Sequence, residues 1–315
     1  MGEQESHTMP FTKGPAGKFH YYQWIPEQPT MWLHILHGMS EHSARYCDLA
    51  NFLGSYGILV TAGDHRGHGE TGKAMHSSYH VADKDGWNLM LDDQLQFLQE
   101  KSNYFDLPLV IMGHSMGSFM ATHFCQTRLT ALTQSMAKPL LGLILSGSNY
   151  AKPYVYKAAS VIARIERRRC GHDRPSNLLE KLSFGHFNNA FQPARTESDW
   201  LSRDNNAVDH YINDPLCGGP LSTQSWCDFL QGMADLSKPD AFKKISSALP
   251  IYMFSGDQDP VGQQGIGVTA LSNVFTASGQ RNITKKMYLG GRHEMLNEIN
   301  KKEVYEDLKN WLLSL

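Results

Sequence analysis

The sequence lacks a strong net charge, paired cysteines and any long hydrophobic run. Its 29 basic and 31 acidic residues leave a net charge of −2, so no overall field attracts nucleic acid. Five cysteines, an odd number without a Cys-x-x-Cys pair, argue against a disulfide framework or a zinc site. No stretch approaches the ~20 apolar residues of a membrane span, and the first twenty residues hold no signal-peptide core. We expect a cytoplasmic protein without a nucleic-acid partner, a metal or an organic cofactor.

The apolar residues that are present indicate an α/β fold. Short apolar runs, too brief for helices, predict buried parallel strands at residues 33–36, 58–61, 107–112, 141–145, 249–254 and 287–289. Between them, residues 46–53, 87–98 and 304–315 carry apolar side chains at helical spacing. This alternation predicts a mostly parallel, doubly wound sheet. Residues 18–26 add an early strand that we expect to be antiparallel.

The alternation of strands and helices stops between residues 149 and 236, where helical pattern and polar loop replace it. We therefore expect this region, called the lid segment below, to be an inserted helical lid. The core would then consist of residues 1–148 and 237–315 and would be discontinuous in sequence. No linker or internal repeat flanks the lid segment, so we expect it to fold against the core.

One motif carries the chemistry. The sequence Gly113-His114-Ser115-Met116-Gly117 follows a buried-strand run and precedes apolar residues at helical spacing. This strand, tight turn and helix are typical of a nucleophile elbow, in which a serine projects from the sheet edge. The two glycines fit such a turn because side chains there would collide with the neighbouring strand and helix. Ser115 is the predicted nucleophile, and an ordinary glycine-rich loop is the alternative.

A serine nucleophile needs a base and an acid, which in this arrangement follow later strands in the order acid, then histidine. Asp259 follows the run at 249–254, and His293 follows the run at 287–289. We assign Asp259 as the acid and His293 as the base, with Asp257 as the rival acid. His114 should not be the base, since adjacent residues at the turn point apart, and we expect it to make a structural hydrogen bond.

The tetrahedral intermediate of acyl transfer needs two donors for its oxyanion. The backbone N–H of Met116, directly after the nucleophile, is the first candidate. The second comes from the loop after the strand at 33–36, where we choose the N–H of Met39. Glu41 and His42 lie in the same loop, and we expect them to brace it instead of reacting.

Five motifs in this order resemble one branch of the α/β-hydrolases, the monoacylglycerol lipases and lysophospholipases, also grouped as serine aminopeptidase S33-like hydrolases. They are HGMSEHSARY, GDHRGHGETG, GHSMGS, SGDQDPVG and GGRHEMLNE. The resemblance implies an α/β-hydrolase fold with Ser115, Asp259 and His293 as the triad. It also implies that the amides of Met39 and Met116 form the oxyanion hole, and that the motif starting at Asp64 is structural.

These observations predict a carboxylic ester hydrolase that acts on a small ester or lipid through an acyl-enzyme on Ser115. Monoacylglycerol or lysophospholipid is the expected substrate class. An aminopeptidase or amidase with the same triad is the alternative enzyme, and a non-catalytic binding protein with this fold is the alternative from another class. The oligomeric state stays open.

The lid segment begins with a helical pattern that has an apolar face and a basic cluster. The face consists of Tyr154, Ala158, Val161, Ile162 and Ile165, and the cluster of Arg164, Arg167, Arg168, Arg169 and Arg174. We favour a helix that packs this face onto the core with its charges solvated; the alternative is transient contact with an anionic lipid surface. Aromatic side chains further on could line an acyl channel or form the lid core; they are Phe184, Phe187, Phe191 and Trp200.

Overall fold

Residues 4–315, which the computed structural model describes, contain one eight-stranded sheet. Its strands are β1 (Gln4–Pro10), β2 (Lys18–Trp24), β3 (Met31–Leu36), β4 (Ile58–Gly63), β5 (Leu109–His114), β6 (Leu140–Ser146), β7 (Ile251–Gly256) and β8 (Ile283–Tyr288). Their spatial order is β1-β2-β4-β3-β5-β6-β7-β8. Strand β2 is antiparallel to β1 and β4, and all other neighbours are parallel. The mostly parallel sheet and the early antiparallel strand are confirmed.

Helices cover both faces of the sheet. They are α1 (Cys47–Gly54), α2 (Gly69–Ala74), α3 (Gly86–Phe105), α4 (Met116–Thr127), α5 (Leu129–Thr133), α6 (Pro153–Cys170), α7 (Asn177–Ser183), α8 (Asn205–Asn213), α9 (Thr223–Leu236), α10 (Pro239–Phe242), α11 (Ile266–Ala277) and α12 (Lys301–Leu312). Three short 3₁₀ turns lie at Ser43–Tyr46, Phe187–Phe191 and Met295–Asn297. Helices α1 and α12 pack on one face, and α3, α4 and α11 pack on the other. The predicted doubly wound arrangement is therefore confirmed.

The continuous apolar runs of the central strands follow from this double cover. In β5, Leu109 and Ile111 join the cluster beneath α3, α4 and α11, while Val110 and Met112 join the cluster beneath α1 and α12. Successive side chains of a strand point to opposite faces, so a strand buried on both faces is apolar at every position. The sheet thus places the carboxyl ends of β3, β5, β7 and β8 along one rigid edge.

The two edge strands depart from the sequence expectations. Strand β1 is not predicted by the sequence, because it contains no apolar run. In the structure only Met9 of this strand is buried, so the strand needs no such run. Strand β8 begins at Ile283, earlier than the predicted run at 287–289. The sequence does not indicate its first residues, because Lys285 and Lys286 interrupt the apolar pattern. Charged side chains are usual on edge strands, where they oppose pairing with another chain.

Between β6 and β7, the lid segment consists of α6 to α9 and connecting loops. Helices α6 and α9 pack together around a small core with Ala163, Trp226 and Leu230. The last turn of α9 instead enters the main core through Met233 and Leu236. The helical content agrees with an inserted lid, and the division into a core and a lid stays a prediction. In residues 4–315, no helix combines the length and the apolar character needed to cross a bilayer.

The prediction that α6 packs its apolar face onto the core is wrong. Its buried residues are Ser160, Ala163 and Glu166, on the side that meets α9. The predicted apolar face is turned to solvent: Tyr154, Val161, Ile162 and Ile165 are all exposed, as is Ala158. Small Ser160 and Ala163 allow the two helices to approach closely. Buried Glu166 accepts hydrogen bonds from Arg169 and Ser176, so its charge does not lie unpaired.

Candidate active site

The turn between β5 and α4 presents Ser115 to a cavity. Ser115 has φ 51° and ψ −120°, a conformation that is uncommon for a residue with a side chain. Its N–H donates to the carbonyl of Ser146 on the neighbouring strand at 2.9 Å, which holds the turn against the sheet. His114 and Met116 are buried on either side, and Ser115 is only partly buried. The side chain of Ser115 is therefore the one that the turn leaves accessible.

The glycines of the motif are required by close backbone contacts. A Cβ atom at Gly113 would lie 2.1 Å from the carbonyl oxygen of Gly117, and one at Gly117 would lie 2.0 Å from that of Leu36. Both values are far below any ordinary non-bonded separation. The neighbouring groups are backbone, so they cannot rotate away. The elbow thus packs directly onto the end of β3, as the sequence motif predicted.

The loops after β7 and β8 bring Asp259 and His293 together. Nδ1 of His293 lies 3.0 Å from Oδ1 of Asp259, and both side chains are buried. The other carboxylate oxygen accepts from Ser255 Oγ at 2.8 Å, and the N–H of Val261 donates to Oδ1 at 2.9 Å. Asp257, the rival acid, instead accepts from the N–H of Gly290 at 2.8 Å in the following turn. Of the two aspartates, Asp259 contacts the histidine.

Burial and mutual attraction set the charge state of this pair. Burial lowers the pKa of His293, but the charge of Asp259 and its hydrogen bond outweigh burial and hold that pKa above its ordinary value. Burial raises the pKa of Asp259, but the histidine and the donors around the carboxylate outweigh burial and hold it below its ordinary value. Asp259 is thus ionised at neutral pH and supports a proton on His293.

The neighbouring His114 is not placed to accept a proton from Ser115. Its Nδ1 lies 3.1 Å from Ser146 Oγ, which is a structural hydrogen bond as predicted. Burial and the nearby His293, whose ring centroid is 4.8 Å away, lower the pKa of His114 to about 4. A neutral His114 therefore packs beside His293 without adding a second positive charge.

The loop after β3 lies against the elbow from the opposite side. A Cβ atom at Gly38 would lie 3.3 Å from the Cβ of Ser115, so the next residue, Met39, is close to the nucleophile. Within residues 4–315, neither the N–H of Met39 nor that of Met116 donates to another protein group. Both predicted oxyanion donors are consequently free to donate to a ligand.

Glu41 braces this loop, as expected from the sequence. Its carboxylate accepts hydrogen bonds from the N–H of Gly38 at 2.5 Å, from Arg45 at 2.7 Å and from the hydroxyl of Tyr46 at 2.9 Å. Arg45 also makes a bidentate pair with Glu294, the residue after His293, with both distances 2.7 Å. Buried charges that are paired in this way fix geometry strongly. One network therefore connects the loop after β3 with the loop that carries the histidine.

Sequence reasoning missed several residues of the site. The Ser255 bond to Asp259 is local, but it uses a side chain that the motif did not single out. The Arg45 to Glu294 pair and the packing of Trp200 on His293, with ring centroids 5.1 Å apart, join residues distant in sequence. No local spacing indicates such contacts. The sequence contains one indication of these contacts: its motifs carry more ionisable side chains than a catalytic triad needs.

Ser115 and His293 line one cavity of about 220 Å³. Within residues 4–315 no hydrogen bond joins their side chains, and such bonds are often long before substrate binds. The lid segment forms much of the wall with Glu180, Phe184, Glu197, Ser198, Trp200, Leu201 and Tyr211. A larger groove of about 580 Å³ beside α3, α4 and α9 contains none of the proposed catalytic residues.

The four lid aromatics do not divide cleanly between the two predicted roles. Phe184 and Trp200 line the cavity, and Phe184 also packs against the small core of the lid segment. Phe187 packs on both of them, with ring centroids 5.7 Å and 5.0 Å away. Phe191 lies under the guanidinium of Arg292, which is outside the lid segment.

One group of side chains near the site has donors of the kind that bind metal ions. In the described part of the chain, ligand atoms of His42, Asp214 and Cys217 all lie within 4.8 Å of one another. His42 Nε2 is already hydrogen-bonded to Asp214 at 2.8 Å, and burial raises the pKa of the Cys217 thiol well above its ordinary value. A thiol held in its protonated form is a poor metal ligand, so the group fits a structural contact better than a metal centre.

Comparison with known proteins identifies relatives over most of the chain. The model of the family described as serine aminopeptidase, S33, matches residues 27–300. A monoacylglycerol lipase of Mycolicibacterium smegmatis is 24% identical over 303 residues, covering 93% of this chain and 92% of the relative. The monoglyceride lipase of Homo sapiens is 26% identical, covering 92% and 84%. A thermostable carboxyl esterase from Bacillus coagulans, solved in complex with glycerol, superposes with a TM-score of 0.85 at 30% identity and 98% coverage of both chains.

The elbow contacts predict a severe effect of a single methyl group. We expect Gly117→Ala to lower the free energy of unfolding by about 3 kcal/mol or more, since overpacking against backbone cannot relax. Gly54→Ala is the matched control, because a Cβ atom there meets nothing within 4 Å. Urea unfolding of both variants measures the difference. Equal stability of Gly117→Ala and Gly54→Ala would contradict the close contact.

Proposed function

This chain belongs to the serine aminopeptidase S33 family of α/β-hydrolases and is a carboxylic ester hydrolase, and we propose that it cleaves acyl esters through a covalent intermediate on Ser115. The observation that carries the proposal is the shared cavity. Ser115 stands on a constrained turn facing that cavity, and His293, bound to buried Asp259, lines it as well.

In the proposed mechanism, Nε2 of His293 removes the hydroxyl proton of Ser115 as Oγ attacks the ester carbonyl carbon. Asp259 accepts the hydrogen bond of Nδ1–H, which leaves Nε2 free to act as the base, and it stabilises the imidazolium that forms. The N–H groups of Met39 and Met116 donate to the oxyanion. Collapse of the tetrahedral intermediate breaks the bond to the alcohol, which takes the proton from His293. Water, activated by the same histidine, then hydrolyses the acyl-enzyme.

A monoacylglycerol or a lysophospholipid is the proposed substrate. Two relatives are named monoacylglycerol or monoglyceride lipases, and the solved esterase was bound to glycerol. The cavity combines aromatic Phe184 and Trp200 with acidic Glu180 and Glu197, which suits an ester that has an apolar chain and a polar alcohol. At about 220 Å³ it is smaller than most ligand sites, so a long acyl chain requires part of the lid segment, such as the wall around Phe184 and Trp200, to move.

We propose that residues 149–236 are this lid, set on a core of residues 1–148 and 237–315, and that α6 touches a lipid surface. The exposed side of α6 combines apolar Val161 and Ile165 with the exposed cations Lys157, Arg164 and Arg168. Apolar area with flanking positive charge is the composition that binds an anionic lipid interface. Two arginines of the predicted cluster are engaged elsewhere, Arg167 with Gln224 and Arg169 with Glu166.

Labelling tests the proposed nucleophile. A fluorophosphonate should attach to Ser115, and Ser115→Ala should lose both the label and, by about 10⁴-fold or more, the hydrolysis of p-nitrophenyl esters. A series of monoacylglycerols and lysophospholipids then defines the acyl chain and head group. Labelling at another residue would overturn the mechanism, and turnover of aminoacyl anilides without turnover of esters would favour the amidase alternative.

The His293 to Asp259 pair predicts the pH dependence. The base must be neutral, and Asp259 holds the pKa of His293 above its ordinary value despite burial. We therefore expect kcat/KM to be low in acid and to rise with pH until His293 loses its proton. Asp259→Asn removes the charge that raises this pKa, so the acid limb should move to lower pH while kcat falls about 10⁴-fold. An unchanged acid limb in Asp259→Asn would show that another group controls the profile.

Vesicle binding tests the α6 surface. Val161→Ser combined with Ile165→Ser should weaken binding to phosphatidylglycerol vesicles about tenfold or more, because two apolar side chains no longer enter the interface. Hydrolysis of soluble p-nitrophenyl butyrate should not change. Tyr104→Ser, at a residue 75% exposed at the end of α3, is the control. Undiminished vesicle binding of the α6 variant would refute the contact.

A further inference from the structure

The residue after the proposed oxyanion donor Met39 has an unusual backbone. Ser40 has φ 55°, in the left-handed region that a residue with a side chain seldom adopts, and it is buried. The planar peptide between Met39 and Ser40 ties the Cα of Met39 to Ser40. An anchor on Ser40 therefore restrains where Met39 lies, and with it the preceding peptide, which carries the N–H of Met39. Whatever holds Ser40 therefore bears on the oxyanion hole.

Ser40 is held by the lid segment. Its carbonyl accepts a hydrogen bond from the N–H of Gly218 at 2.8 Å and another from the hydroxyl of Tyr211 at 3.2 Å. Its own hydroxyl donates to the carbonyl of Gly219 at 2.7 Å. These three bonds cross from the loop after β3 to α8 and the turn that follows it. All four residues also line the cavity that contains Ser115.

Two further contacts dock the same part of the lid segment. His42 Nε2 lies 2.8 Å from a carboxylate oxygen of Asp214, and the guanidinium of Arg45 lies 5.0 Å from the ring centroid of Tyr211. Arg45 is in turn fixed by Glu41 and Glu294. The core side of the oxyanion loop thus has its own rigid brace, whereas Ser40 itself is bound from the lid side.

We propose that Ser40, Tyr211, Gly218 and Gly219 form a latch through which the docked lid segment positions the oxyanion hole. Tyr211 and Ser40 are positioning residues: they touch neither the scissile bond nor the triad, and they act through the amide of Met39. When α8 and its following turn move away, Ser40 loses all three partners together. The amide of Met39 is then no longer aimed, so full acyl-transfer activity requires the lid segment to be seated.

This inference rests on the proposed role of Met39, and a KM-against-kcat comparison tests it. Ser40→Ala and Tyr211→Phe should each lower kcat on p-nitrophenyl butyrate about tenfold, less than the 10²- to 10³-fold typical when a donor is removed outright. KM should stay within about twofold, because the oxyanion forms only after binding. Binding of a trifluoromethyl ketone, whose adduct with Ser115 places an oxyanion in the hole, should weaken in proportion to kcat.

Matched controls separate positioning from folding. Tyr154→Phe makes the same chemical change in the lid segment at an exposed residue and should leave kcat unchanged. Fluorophosphonate titration counts the competent sites, so kcat is expressed per site. The two substitutions remove two of the three latch bonds, and both of these bonds act on Ser40. The double variant Ser40→Ala with Tyr211→Phe should therefore lose less than the product of the single losses.

Three outcomes would overturn the latch: unchanged kcat per titrated site in both single variants, a loss explained wholly by fewer titrated sites, or a ketone affinity that does not follow kcat. Failure of the proposed function looks different, since Ser115 would then take no label even in the unmodified protein. The two failures are therefore distinguishable in one set of measurements.

Discussion

The contact between the backbone of Gly117 and the carbonyl end of β3 is the constraint on which the site depends. The absence of a side chain there lets α4 begin directly against the sheet, and Ser115 is then forced into a turn that projects its hydroxyl. The loop with Met39 lies against the same turn, because a Cβ atom at Gly38 would be only 3.3 Å from the Cβ of Ser115. The proposed nucleophile and the proposed oxyanion donors are consequently positioned by the same packing contact.

Around that contact, the buried charges have charged partners or hydrogen-bond donors. Asp259 supports His293, Glu41 and Glu294 share Arg45, and buried Asp64 receives hydrogen bonds from the backbone of Ser43 and Glu70. A charge buried alone is costly, and each pair limits where its loop can lie. These bonds therefore restrain the loops at the carboxyl edge of the sheet.

The sequence predicted those parts of the molecule that local pattern controls. Runs apolar at every position identified the central strands, and Gly113 and Gly117 identified the elbow, because each depends on neighbours in the chain. It failed at β1 and β8, where an edge strand needs no apolar run, and at α6, whose amphipathic pattern does not say which partner covers the apolar face. The bonds of Ser40 to Tyr211 and Gly219 were beyond its reach, since residues more than 170 positions apart meet only in the fold.

The insertion of the lid segment between β6 and β7 has a consequence for synthesis. Ser115 and the whole lid segment precede Asp259 and His293 in the chain, so they leave the ribosome first. A nascent chain that has emerged as far as residue 236 holds the proposed nucleophile but neither its proposed acid nor its proposed base. Under the proposed mechanism, the order of translation keeps Ser115 without a base until β7, β8 and the loop with His293 have folded onto the rest of the sheet.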